Sequence, residues 1–248
     1  MGPLEILAIA AAGAAAGAIN TIVGSGSLVT FPVLVALGYP PVVANVTNTV
    51  GLVPGSFAGA YGYRRELSGQ KRRMIRMGAA SFLGAIVGAM LLLMLPASVF
   101  DAIVPVIIAI AVLLVIFQSR LNKLVAERRD EGGTVGPLLT GLVFLTGVYG
   151  GYFSAAQGIL LLAVLGLGLS ETLQQVNALK NVLQALVNVV AAVVFAIVAD
   201  VAWAAAAVLA VGAVIGGQLG AHFGRRLPPV VLRGMIVVIG VFAIFMMI

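Results

Sequence analysis

The chain has 248 residues, 62% of them hydrophobic and only 9% charged, with a formal net charge of +6 at pH 7. Soluble globular domains carry about 25% charged residues, so this composition excludes a soluble domain and implies an integral membrane protein. Cysteine is absent, which excludes disulfides and thiolate chemistry, and the basic residues stand where membrane topology alone would place them, so the positive charge does not imply nucleic acid.

Apolar runs near or above the ~20 residues that cross a bilayer recur, without the ten-residue alternation of an outer-membrane barrel, so helices are expected to be the spanning units. The first run, 4–19, has no basic segment before it and reads as a membrane segment, not a cleaved signal peptide. A polar break from Asn20 to Ser27 follows, then a short run, 28–37, whose ten helical residues would rise about 15 Å, half a hydrocarbon core. After Gly38-Tyr39-Pro40-Pro41 comes a long run, 42–63, then a basic segment, 64–76, and runs 77–95 and 99–117 separated by Pro96. A second basic segment, 120–129, opens a charged, glycine-containing linker, 119–136, which divides a first half, 1–118, from a second, 137–248.

The order of elements then returns: a run 138–148, a polar break 150–158, a short run 159–169, long runs 173–198 and 203–223, a proline break and a last run 230–248. At one ungapped offset of 132, Gly26 falls on Gly158, Asn45 on Asn177, Gly84 on Gly216, Gly88 on Gly220 and Pro96 on Pro228. The expected fold is therefore all-α, with two repeats, each combining long spanning helices with a short broken or re-entrant one. Of the fourteen basic residues, six lie in 64–76, four in 120–129 and three in 225–233, which the positive-inside rule assigns to the cytoplasm. The segments around Asp101 and Asp200 hold no Lys or Arg and face outward. Because the offset places the basic 64–76 segment on the Asp200 segment, the repeats are expected to be inverted, a construction of secondary transporters.

The polar residues concentrate in the breaks and at two helix starts. Asn20, Gly24, Ser25, Gly26 and Ser27 combine adaptable backbone with hydroxyls before a helix N-terminus, which suits an anion; the glycines by themselves are explained by close helix packing. Gln157 caps or lines the second break. Asn45, Thr47, Asn48 and Thr49 are expected to face Asn177, Lys180, Asn181 and Gln184, each set sharing a helix face by its three- and four-residue spacing. Lys180 is the one basic residue outside the three clusters; it is either a buried binding cation, costing about 2.5–3.5 kcal/mol at a helix centre, or a side chain snorkelling to the surface. His222 reads as a solvated interface residue, Trp203, Tyr61 and Tyr63 as interfacial anchors, and Gly84, Gly88, Gly216 and Gly220 as packing contacts. No Walker lysine loop, metalloprotease motif or acidic pair within a membrane segment is present, so no catalytic residue, metal site or cofactor is expected.

The glycine-serine break with its short helix, then GYPP, the helix start VVANVTNTV and the helix end AYGYRREL, resembles the sulfite exporter TauE/SafE family, also called toluene sulfonate uptake permeases; GGYFSAAQGILL and VNALKNVLQALVN are similar to that family's second repeat. The resemblance implies a multi-pass bacterial inner-membrane permease for small sulfur-containing anions such as sulfite or organosulfonates. It further implies drive by an ion gradient, with a proton or sodium as coupling ion, and binding elements at Gly24–Ser27, Asn45–Thr49 and Asn177–Asn181. A passive anion channel and a membrane-embedded enzyme or assembly factor are the rival classes. The sequence leaves a homo-oligomer open.

Overall fold

The computed structural model describes residues 1–127 and 136–223, together with positions 234, 237, 238 and 241. The basic cluster 225–233, Pro228, most of the last run 230–248 and residues 128–135 of the expected linker lie outside the described residues. Among the described residues there is no strand. The helices are α1 (Pro3–Ile22), α2 (Ser27–Ala36), α3 (Pro41–Gly62), α4 (Lys71–Met94), α5 (Ala97–Glu127), α6 (Pro137–Tyr152), α7 (Gln157–Gly168), α8 (Leu173–Val198) and α9 (Trp203–Phe223), with a 3-10 turn at Arg64–Leu67 between α3 and α4. Five of them, α1, α4, α5, α8 and α9, are long and apolar enough to cross a membrane. At 22 residues α3 has the length as well, but its asparagines and threonines keep it from that apolar set.

Helix ends follow local chemistry. Proline occupies the first turn of α1, α3 and α6, where its missing N–H costs nothing. Thr172 starts α8 with a reciprocal capping box, accepting from the Gln175 N–H at 3.2 Å while Gln175 Oε1 accepts from the Thr172 N–H at 3.0 Å. The breaks are shorter than the sequence suggests, because Asn20 and Thr21 complete the last turn of α1 and Gly150 and Gly151 that of α6.

Both short helices turn back along the helix before them. A Cβ on Gly26 would strike the Ala16 carbonyl and come within 3.0 Å of Asn20 Cβ, so the chain has reversed by that point. Beyond α2, the Tyr39 hydroxyl donates to Glu5 Oε1 at 2.7 Å, tying the end of α2 to the start of α1. In the second half a Cβ on Gly168, the last residue of α7, would lie 2.7 Å from the Leu139 side chain at the start of α6. The pairs α1/α2 and α6/α7 are therefore helical hairpins, each returning to the end from which it set out.

The closest helix pairings join the halves. α1 packs along α9 and α4 along α6, while α3 and α8 lie against each other. Gly84 and Gly88 meet the carbonyls of Phe144 and Val148 on α6, and Gly216 and Gly220 meet Ala14 and Ala18 on α1, the backbone approach that small residues allow in membrane bundles. Ser56 and Asn188, 132 residues apart, touch directly, with Asn188 Nδ2 donating to Ser56 Oγ at 2.9 Å.

Candidate functional site at the crossing of two hairpins

The tips of the two hairpins meet. The Gly158 N–H donates to the Gly24 carbonyl at 2.9 Å, and Ser27 Oγ lies 2.7 Å from Ser154 Oγ. Backbone approaches so closely here that a Cβ on Gly24 would strike Gly158, and Gly24 has φ +87°, a conformation that only glycine adopts freely. Its counterpart 132 residues on, Ala156, also takes a left-handed conformation, with φ +57°.

A helix end leaves its last carbonyls without partners. At the α1 end they are satisfied by α8. Lys180 Nζ donates to the carbonyls of Asn20 (3.2 Å) and Thr21 (3.4 Å), and Asn181 Nδ2 donates to Thr21 at 3.3 Å. Gln184 Nε2 donates to Asn20 Oδ1 at 2.8 Å and reaches the Gly24 carbonyl at 3.5 Å; Asn20 Oδ1 also accepts from the Gly26 N–H at 3.3 Å. Lys180 is 0% exposed, so it does not snorkel; its ammonium sits against the negative end of the α1 dipole. The α6 end is served by α3: Asn45 Nδ2 donates to the Tyr152 carbonyl at 3.0 Å. Asn48 Nδ2 donates to Ser27 Oγ at 3.1 Å and its Oδ1 accepts from the Thr30 hydroxyl.

Asn20, Ser25, Ser27, Asn45, Asn48, Thr49, Gln157, Asn177, Lys180, Asn181 and Gln184 are all buried, and Gly24 and Gly26 with them. Their arrangement differs from the expected one. No hydrogen bond joins the Asn45–Thr49 set to the Asn177–Gln184 set: Asn45, Lys180, Asn181 and Gln184 reach the opposite half's hairpin, Asn48 its own half's, and the tips are tied by Gly24–Gly158 and Ser27–Ser154. The reason is position along the helix: Asn45 stands about 6 Å from the start of α3 and Lys180 about 10 Å from the start of α8, and these starts adjoin the returning ends of different hairpins. Thr49 turns to its own helix, donating to the Asn45 carbonyl at 2.9 Å, and Gln157 Nε2 donates to the Thr146 carbonyl at 3.4 Å, so neither joins the crossing. Thr47, which the sequence placed in the same set, accepts from the Ala202 N–H at 3.0 Å.

Donors and acceptors are unequally used. Asn45, Lys180, Asn181 and Gln184 spend their donors on carbonyl oxygens, while Ser25 Oγ and the side-chain oxygens of Asn45, Gln157, Asn177 and Asn188 have no partner. Buried polar atoms without partners are rare and mark room for a ligand, ion or water. Thr30 and Ser154 were missed in the sequence because single hydroxyls in apolar runs look incidental; the Ser56–Asn188 pair could have been found from the offset of 132. At the α6 tip, Phe31, Phe100 and Phe153 form an edge-to-face cluster with centroids 5.0–6.4 Å apart. Among the described residues no group of three His, Cys, Asp or Glu could hold a metal ion.

Comparison with known proteins finds relatives of this sequence. The profile of the family described as sulfite exporter TauE/SafE matches residues 9–247. The "Probable membrane transporter protein YfcA" of Escherichia coli K12 is 28% identical over 228 residues, covering 90% of this chain and 82% of its own. A "Probable membrane transporter protein" of Haemophilus influenzae is 26% identical, covering 95% of this chain and 91% of its own, and "Probable membrane transporter protein ORF9" of a Sinorhizobium species is 25% identical, covering 91% and 85%. No solved structure matches.

Proposed function

The chain belongs to the sulfite exporter TauE/SafE family, a family of multi-pass membrane transporters and not of enzymes, and on that premise we propose that it moves small sulfur-containing anions, such as sulfite or organosulfonates, across the bacterial inner membrane by alternating access between two inverted repeats, 1–118 and 137–248. The observation that carries the anion reading is Lys180, an ammonium with 0% exposure, set among amides where the hairpins cross, with no carboxylate among its partners. An anion entering the crossing competes with the Asn20 and Thr21 carbonyls for the Lys180 and Asn181 donors. Exchange favours the anion, because its full charge adds a coulombic attraction to the ammonium that a neutral carbonyl lacks.

The direct Ser56–Asn188 contact supports the repeat reading, since residues on a pseudo-two-fold axis touch their own counterparts. The basic 64–76 segment assigns the Arg73–Glu171 ion pair to the cytoplasmic side. The α1/α2 hairpin then enters from outside and the α6/α7 hairpin from inside, so the halves are inverted and the breaks meet within the membrane, where irregular backbone is tolerated because it is buried in protein. The unpartnered amide oxygens of Asn45, Asn177 and Gln157 are acceptors and suit a cation; they favour sodium as the coupling ion over a proton.

Purified protein in liposomes tests this reading. Sulfite or organosulfonate flux should saturate with concentration, follow an imposed sodium gradient, and fall at least tenfold in Lys180→Met. Flux that does not saturate and ignores the gradient would instead identify a passive channel.

A further inference from the structure

An apolar groove of about 380 Å³ runs between α3, α4 and α8, lined by Phe57, by Met74 and Gly78, and by Val182, Leu186 and Val189. It is separate from the hairpin crossing. Val182 and Leu186 each follow a network residue, Lys180 or Gln184, by two positions, about 200° around the helix, so groove and network occupy opposite faces of α8. Phe57 is 56% exposed, and the groove opens to the surroundings of the bundle.

One end of this groove is basic. Ala60 and Met74 lie beside the end of α3 and the start of α4, and the 3-10 turn between those helices packs against α8. That turn presents Arg64 and Arg65, both exposed. Arg64 stacks 4.0 Å over the Tyr61 ring, donates to the Tyr61 carbonyl at 3.0 Å and lines a separate hollow with Gln218 of α9, which leaves Arg65 as the turn's cation for this groove. Lys71 shares a helical stripe with Met74 and Gly78, three and seven residues further on. The segment 64–76 holds six basic residues and one acid, and Glu171 is committed to Arg73, so positive charge is in excess at this mouth.

We propose that the groove binds an anionic phospholipid, with an acyl chain along α8 between Phe57 and Val189 and the phosphate held at the mouth by Arg65 and Lys71. Guanidinium groups match phosphate oxygens in a planar fork, and basic pockets between helices on the cytoplasmic side are where anionic headgroups are recognised. A zwitterionic lipid offers the same chain, but its headgroup carries a cation into a basic mouth.

Native mass spectrometry of the full chain, released from detergent after exposure to equal amounts of phosphatidylglycerol or phosphatidylcholine, tests this. The phosphatidylglycerol adduct should be at least fivefold the more abundant. The double variant Arg65→Gln, Lys71→Gln should bring it down to the phosphatidylcholine level, and Ala60→Leu, which fills the groove wall, should lower both adducts. Val189→Phe serves the same purpose at the far end should Ala60→Leu express poorly. Equal retention of the two lipids by the wild type overturns the proposal, as does adduct abundance untouched by either groove-filling change. A dimer that retains no lipid assigns the groove to a second copy instead.

Discussion

The two polar helices, α3 and α8, stand at equivalent places in the two halves and do different work. At the offset of 132, Asn45 corresponds to Asn177, Asn48 to Lys180, Thr49 to Asn181 and Leu52 to Gln184. Both helices reach across to the final carbonyls of the opposite hairpin. On α3 the reach is by one neutral asparagine, Asn45, to Tyr152, while Asn48 turns to the Ser27 hydroxyl of its own half. On α8 it is by Lys180 and Gln184, to Asn20, Thr21 and Gly24. The hairpin tips differ in the same sense, since Phe153, which packs into an aromatic cluster, stands where the first half has Thr21. On the proposed duplication, one half-site is charged and the other neutral and aromatic-capped, which is why anion affinity is proposed to lie chiefly on the α8 side.

The sharpest way to break that comparison is to remove its charge. Lys180→Met is expected to weaken anion binding at least tenfold, the equivalent of 1.4 kcal/mol. It should also cost stability, about 1–3 kcal/mol, because two buried carbonyls lose their donor. Lys180→Gln restores a donor without the charge, so it should recover most of the stability and little of the binding, as read by thermal shift with and without sulfite. Asn48→Ala, at the equivalent position, should cost about fivefold in binding or less; equal losses on the two sides would show that the half-sites are functionally alike.

The tips offer a second contrast, since the same left-handed conformation is held by Gly24 in one and by Ala156 in the other. Gly24→Ala should prevent the tips from meeting and reduce the yield of folded protein severely, as its Cβ falls on the Gly158 backbone. Ala156→Gly relieves a strain of about 1–2 kcal/mol against a rise in unfolded-chain freedom, leaving a net gain of at most about 1 kcal/mol in unfolding measurements.

The proposed entry of the hairpins from opposite sides makes a labelling prediction. In intact cells, a cysteine at Leu37, past the end of α2, should react with a membrane-impermeant thiol reagent, and one at Ser170, past the end of α7, should be shielded. Short helices that instead crossed as parts of broken spans would put a cysteine at Gly2 on the side opposite Leu37, and one at Gly136 on the side opposite Ser170.

The smallest effects belong to the ties outside the crossing. Tyr39→Phe removes the bond to Glu5 and should cost about 0.5–1.5 kcal/mol. Burial, and then the bond to the Glu5 carboxylate, raise the Tyr39 pKa above its ordinary 10.0. This contribution is therefore complete below about pH 10 and lost as pH rises through the folded value, and Tyr39→Phe should lack that alkaline loss in pH-dependent unfolding. Arg73→Gln should cost less than about 1 kcal/mol, because the Arg73 side chain of the pair with Glu171 is 35% exposed and solvent screens it.

Much of the fold was legible because membrane helices are written in composition. The run 173–198 is α8 to the residue and the run 203–223 is α9, since apolar length sets both. Lys180, Asn45 and the glycine-serine break stood out for the same reason, as polar residues in apolar sequence must be explained. What the sequence left open was decided by the fold. Whether α2 and α7 return or continue depends on the four-residue breaks, and the Gly26–Ala16 and Gly168–Leu139 contacts that settle the reversal join residues ten or more apart. The partners of Lys180 lie 160 and 159 residues away. They are carbonyls, which every residue carries and no side-chain pattern announces; only the folding of α1 to an end beside α8 makes the oxygens of Asn20 and Thr21, among so many equivalent ones, the pair that holds the buried charge.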